Sequence, residues 1–91
     1  MKPGDLVRVD PVDRDVDTGA RVMLMKRPDT FREDNPTTGS LELDEVGLLI
    51  ALVEVETDVK DGWQVGGKHL EALVLFGQRL GWNSAMCFSV V

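Results

Sequence analysis

Apolar and polar residues alternate singly in several short stretches of this chain, and few stretches repeat at three- and four-residue spacing. Around Leu6, Val7 and Val9 alternate with Arg8 and Asp10, the period of a strand with one buried face. Lys2-Pro3-Gly4-Asp5 launches it, so residues 1–10 predict a first strand. Residues 20–27, ARVMLMKR, predict a second extended piece, with Val22 and Leu24 on one face and Met23 and Met25 on the other. Residues 46–56, VGLLIALVEVE, are the longest apolar run. Val46, Leu49, Ile50 and Val53 also sit at helical spacing, so a helix stays open there. The β-branched content and the Val53-Glu54-Val55-Glu56 alternation favour a strand. The first half of that run is apolar on both faces: Leu48, Ile50 and Leu52 on one, Leu49, Ala51 and Val53 on the other. One face predicts a place in the core; the other calls for a cover, from residues 20–45 or from a partner subunit. Residues 69–76 predict another strand, residues 78–85 a turn carrying Trp82, and residues 86–91 a closing strand.

Between these pieces lie segments rich in turn formers. Residues 10–19, DPVDRDVDTG, form an acidic turn region punctuated by Pro11 and Gly19. Residues 28–40, PDTFREDNPTTGS, have too little apolar area to order themselves and are expected to form a mobile loop. Residues 57–68 form a turn-rich connection in which Asp61-Gly62 is a hairpin signal. The pattern as a whole predicts a mainly β fold: a small closed barrel of about five short strands, carrying a long insertion over about residues 10–45.

Ninety-one residues make a single domain, 1–91, with a thin stability margin. The aromatics are three Phe and two Trp, with no Tyr, so the core must be built mostly from Val and Leu. Ten Lys and Arg stand against sixteen Asp and Glu, a net charge of -6. This balance disfavours nucleic acid, whose backbone selects a positive footprint, and it disfavours docking on an anionic membrane surface. No apolar run approaches the length of a membrane span, so no membrane insertion is expected. No apolar leader precedes the first strand, and with the single thiol this makes the cytoplasm the expected location.

Candidate chemistry is sparse. Asp13, Asp15 and Asp17 have the alternate spacing of an EF-hand loop, but Thr18 and Leu24 stand where Gly and Glu are required, so the cluster reads as a solvated acidic turn. His69 is the one histidine. Glu71 shares its strand face, which makes a His–carboxylate contact geometrically possible, and the expected setting is a strand surface. No nucleophile sits in a recognised motif. One His and one Cys do not make a zinc site. Gly62, Gly66, Gly67 and Lys68 have the wrong spacing for a phosphate loop, and a strand follows them. Cys87, between Met86 and Phe88, reads as a buried structural thiol. No catalytic residue, metal or cofactor is therefore expected. Trp63 and Trp82 are the side chains best suited to hold a protein partner, with Phe31 and Arg32 of the 28–40 loop beside them.

Five pieces together resemble the short SH3-like barrel proteins of tailed bacteriophages. They are Gly4-Asp5-Leu6-Val7, Gly47-Leu48-Leu49-Ile50, Leu73-Val74-Leu75-Phe76, Gly81-Trp82 and Phe88-Ser89-Val90-Val91, and they are spread from the first strand to the last. A weaker likeness is to SH3-like accessory subunits of electron-transport complexes. The resemblance implies an SH3-like barrel and a non-enzymatic interaction or structural module: a minor virion component or a binder of a host factor, located in the virion or the host cytoplasm. A protein partner or self-association as a homo-oligomer is expected. An accessory subunit of an electron-transport or photosynthetic complex, and a nucleic-acid-binding small barrel, are the alternative expectations.

Overall fold

Seven antiparallel strands form one continuous curled sheet, a half-barrel rather than a closed one. They are β1 (Leu6–Val9), β2 (Val22–Met25), β3 (Thr37–Leu41), β4 (Val46–Thr57), β5 (Gly67–Phe76), β6 (Arg79–Ser84) and β7 (Phe88–Val90), with a 3₁₀ turn at Ala85–Cys87. The order across the sheet is β3-β2-β6-β5-β4-β1-β7. This computed structural model describes residues 1–10, 22–28, 34–42, 45–57 and 67–91.

The period-two pattern places the core. On β1, Val7 and Val9 are buried while Leu6 and Arg8 are exposed. On β5, Ala72, Val74 and Phe76 point into the concave side and are joined there by Leu24, Leu41, Leu49 and Phe88. The rings of Phe76 and Phe88 lie 6.0 Å apart in a tilted contact, an ordinary geometry for an aromatic pair. Val46–Thr57 is a strand, which settles the helix alternative for the 46–53 run. Within it the register slips: Leu49 lies opposite Val74 and Ala51 opposite Leu73, leaving Ile50 as an extra residue. Such a bulge bends the strand and raises its twist. It also moves Leu52, opposite Ala72, onto the core side.

The strand count departs from about five for two local reasons. Residues 78–85 were expected to be a turn, but the turn is only Gly77-Gln78, with Phe76 paired to Arg79 across it. Gly77 takes φ 62, a left-handed value that suits Gly. Leu80-Gly81-Trp82-Asn83 then alternates as a strand, with Gly81 and Asn83 buried. The 28–40 loop is also shorter than expected. Thr37 to Ser40 belong to β3, which pairs with β2 from Val22↔Leu41 to Met25↔Thr37. β-branched threonines and the buried Leu41 offset the Pro and Gly around them. Ahead of β3, Asn35 is buried and clamps the bend, accepting from the Arg27 backbone N–H at 2.9 Å and donating to the Arg27 carbonyl at 2.8 Å.

Two glycines set the curl. A Cβ at Gly47 would lie 2.6 Å from both the Leu75 carbonyl oxygen and the Phe76 ring. One at Gly81 would lie 2.6 Å from Leu24 Cβ and from Thr38 Oγ1. Neighbouring atoms already fill the side-chain space at both points: the Leu75 carbonyl and Phe76 ring at Gly47, and the Leu24 and Thr38 side chains at Gly81. Gly81→Ala is expected to lower unfolding stability by about 1–3 kcal/mol, read as a lower urea midpoint; an unchanged midpoint would show that β2 and β3 are free to back away from β6. Leu49→Ala, at a fully buried site, is expected to cost about 2–5 kcal/mol in the same assay.

Candidate functional site: the convex face of the sheet

The face opposite the core is where the sequence left an apolar surface without a cover. Strand register shows how that surface is built. Leu6 lies opposite Leu48, Leu48 opposite Leu75, and Leu75 opposite Leu80, giving one row across β1, β4, β5 and β6. A second row runs Ala51, Leu73, Trp82, Met25 across β4, β5, β6 and β2. Directly opposed side chains on one face sit within contact distance, so the two rows form a continuous apolar band. Leu6 is 55% and Leu80 50% exposed, while Leu48, Leu73, Leu75 and Trp82 are half-buried. Trp82 therefore packs with its neighbours and keeps part of its indole open, at the centre of the band. Trp63, Phe31 and Arg32, the other expected contact residues, lie outside the described residues, as do Asp13, Asp15 and Asp17.

At one end of the band the two-residue period puts Glu71 and His69 in line with Leu73. Glu71 is fully buried, and its Oε2 lies 2.8 Å from His69 Nε2. The contact foreseen from the sequence is present, but its setting differs: the carboxylate is interior rather than at the surface. Glu71 is flanked on both sides, by Val53 of β4 and Ser84 of β6, and the 3₁₀ turn that follows β6 also contacts β5. A buried carboxylate demands partners, and the imidazole is one of them.

Cys87 packs against the core. Burial pushes its thiol above the ordinary value, and the Glu71 charge adds to this. That is the environment of an inert thiol, because nucleophilic cysteines sit where a positive charge stabilises the thiolate. Asn83 Oδ1 accepts from Cys87 Sγ at 3.6 Å and from the Ser84 backbone N–H at 2.6 Å. On the opposite face of β6, across from Phe76, Arg79 forks onto Glu45 at 2.6 and 3.0 Å and donates to the Ser40 carbonyl at 3.1 Å. These bonds from Arg79, then the Glu42 backbone N–H, hold the Glu45 carboxyl below its ordinary range. Among the described residues, no group of three His, Cys, Asp or Glu side chains is placed to hold a metal ion, and no helix is long and apolar enough to cross a membrane. The band was legible residue by residue as apolar positions. What the sequence did not signal was that pairing would line them up, since register is a property of the partner strand.

No protein-family model, curated protein or solved structure matches this chain.

Three measurements check this geometry. His69→Ala removes a partner of a buried carboxylate and is expected to cost about 1–3 kcal/mol of stability; a neutral result would show that the other contacts of Glu71 suffice. Because the Glu45 carboxyl is depressed in the fold, its stabilisation is present above its ordinary value of 4.5 and disappears as the pH falls through the lower folded value. Glu45→Gln should therefore flatten the acid limb of a stability–pH curve, and an unchanged limb would remove the Arg79 fork from the account. Cys87 should alkylate slowly with iodoacetamide at pH 8 in buffer and rapidly in urea. Equal rates would contradict the buried thiol.

Proposed function

We propose that this chain is a non-enzymatic protein-interaction or structural module that engages a protein partner through the convex face of its sheet. The observation that carries the reading is the band from Leu6 to Leu80 and from Ala51 to Met25, with Trp82 at its centre. Exposed contiguous apolar surface on a small acidic domain is costly in water and typically marks a contact site. Aromatic and methionine side chains, as at Trp82, Met25 and the exposed Met23, are the types enriched at interface centres. Chemistry at this surface is not supported by the groups beside it. The His69–Glu71 pair is drawn inward, and the Cys87 thiol is shifted away from the reactive form.

The segments that resemble short SH3-like barrel proteins of tailed bacteriophages are β1, the start of β4, the end of β5, the middle of β6, and β7. On that resemblance the module is phage-encoded, with an SH3-like elaboration, and serves as a minor virion component or as a binder of a host factor. Trp63, Phe31 and Arg32, outside the described residues, stay in this proposal as partner-contact residues on their side-chain chemistry alone.

Leu80→Glu places a charge in the band at an exposed position, so folding should survive. Affinity capture from a lysate of the native source, with wild type and variant side by side, tests the reading. A protein retained stoichiometrically by wild type should bind Leu80→Glu at least about tenfold more weakly, or 1.4 kcal/mol, with an unchanged melting temperature. Equal retention by the two would sink the convex face as the docking surface.

A further inference from the structure

The sheet has two edges, and they are not alike. On the β3 edge, Arg79 donates to the Ser40 carbonyl, and the Thr38 hydroxyl donates to the Leu80 carbonyl at 3.0 Å. Side chains thus tie that strand back onto β6. Among the described residues, no side chain ties the β7 edge back in this way. Asp10 N–H donates to the Cys87 carbonyl and Val91 N–H to the Leu6 carbonyl. With Arg8 opposite Ser89, this phase makes Arg8 and Ser89 the hydrogen-bonded pair between them. The backbone groups of Phe88 and Val90 therefore point away from β1. The Phe88 N–H is taken by the Ala85 carbonyl. The Phe88 carbonyl and both backbone groups of Val90 are left on the open side.

The side chains around that edge match its backbone. Residues 86–91, MCFSVV, contain no charge and no proline, the devices that usually protect a strand edge from pairing. Met86 is 65%, Val90 50% and Val91 67% exposed, with Leu6 beside Val91. A further feature falls at the centre of the strand. Ser89 Oγ is buried and has no hydrogen-bond partner, an arrangement that folded proteins avoid.

We propose that β7 is a pairing edge through which two copies of this chain associate, antiparallel and about a two-fold axis at Ser89. The pattern is self-complementary. Val90 N–H of each copy meets the Phe88 carbonyl of the other, while the Phe88 N–H stays with the Ala85 carbonyl, so each such pair makes one of its two ladder bonds and the Val90 carbonyl gains no donor. The same axis sets Ser89 opposite Ser89 of the second copy, on one face, where paired hydroxyls hydrogen-bond across strands. A rotation about the Ser89 side-chain bond gives the orphaned Oγ that partner. An unrelated extended peptide would supply the backbone groups but not this match at the centre, which is why the occupant is a second copy. This contact uses a different surface from the convex band and does not depend on that reading.

A strand pair with four apolar neighbours buries less than the roughly 1,200 Å² of a standard interface, so self-association is expected at about 10 μM to 1 mM. Sedimentation equilibrium over that range tests it with wild type, Val90→Pro, Val90→Lys and Leu80→Glu. Proline at position 90 deletes the outward N–H and leaves the ladder to β1 intact. Wild type and Leu80→Glu should approach dimer mass, while Val90→Pro and Val90→Lys should each raise Kd at least about tenfold. Circular dichroism identifies any variant that fails to fold, and Val90→Lys alone then carries the comparison. Wild type that stays monomeric at 1 mM overturns the proposal, as does association unchanged in the folded position-90 variants. Association abolished by Leu80→Glu alone would transfer the contact to the convex face and also overturn it.

Discussion

The architecture depends on how closely neighbouring strands approach at two glycines. A flat seven-stranded sheet of 91 residues would have no interior. This one curls until Phe76 lies on the backbone at Gly47 and until β2 and β3 lie against Gly81. At both glycines the space that a methyl group would fill is already occupied. The bulge at Ile50 adds twist on the strand between them. Curling gathers Val7, Val9, Leu24, Leu41, Leu49, Ala72, Val74, Phe76 and Phe88 into one core, and that core has no other source. Two absent side chains thus decide whether the present ones can be buried.

The same curl explains why the convex face stays apolar and open. Bending a sheet toward one side spreads the side chains on the other, so residues that would cover each other on a flat sheet are partly exposed. Leu6, Leu80 and Met23 are open, whereas Leu48, Leu73, Leu75 and Trp82 are partly covered by their row neighbours. A chain selected only for folding would place polar residues here, as antiparallel sheets with a solvated face do. Among the described residues, charge lies along the β4–β5 arm, where Glu54 pairs with Lys68. That segregation gives the proposed contact reading its physical basis, because apolar surface left exposed lowers solubility without adding to the core.

How much of this was readable from residue order varies with range. β1 and most of β5 were legible, since single alternation over four or more residues has one structural meaning. β6 was hidden because Gly81-Trp82 looks like turn chemistry locally; Gly81 is there for a close approach to Leu24 that only the folded chain creates. β3 was hidden by the Pro, Thr and Gly of residues 36–39, whose local preference gives way to the burial of Leu41 and to pairing with β2. Trp82 lies half-buried within the band, and the rows around it rest on register that one strand cannot encode alone. The interior position of Glu71 was equally invisible. Its neighbours in sequence, His69 and Leu73, are half-exposed, and its burial comes from β4, β6 and the turn after β6.

These features share one origin in the open sheet. A closed barrel would pair its two edge strands and leave no backbone groups unmatched. Here β3 is tied down by Arg79 and Thr38, side chains that reach back to strand ends, while among the described residues β7 pairs with β1 alone. An acidic chain with charge to spare has placed none between Met86 and Val91. Edge protection requires only one lysine or proline, so a strand that omits both and also strands a buried hydroxyl at its midpoint has the composition of a paired strand rather than a solvated one. The curl that encloses the core is therefore also what leaves β7, among the described residues, with one neighbouring strand, and the proposed pairing rests on that edge.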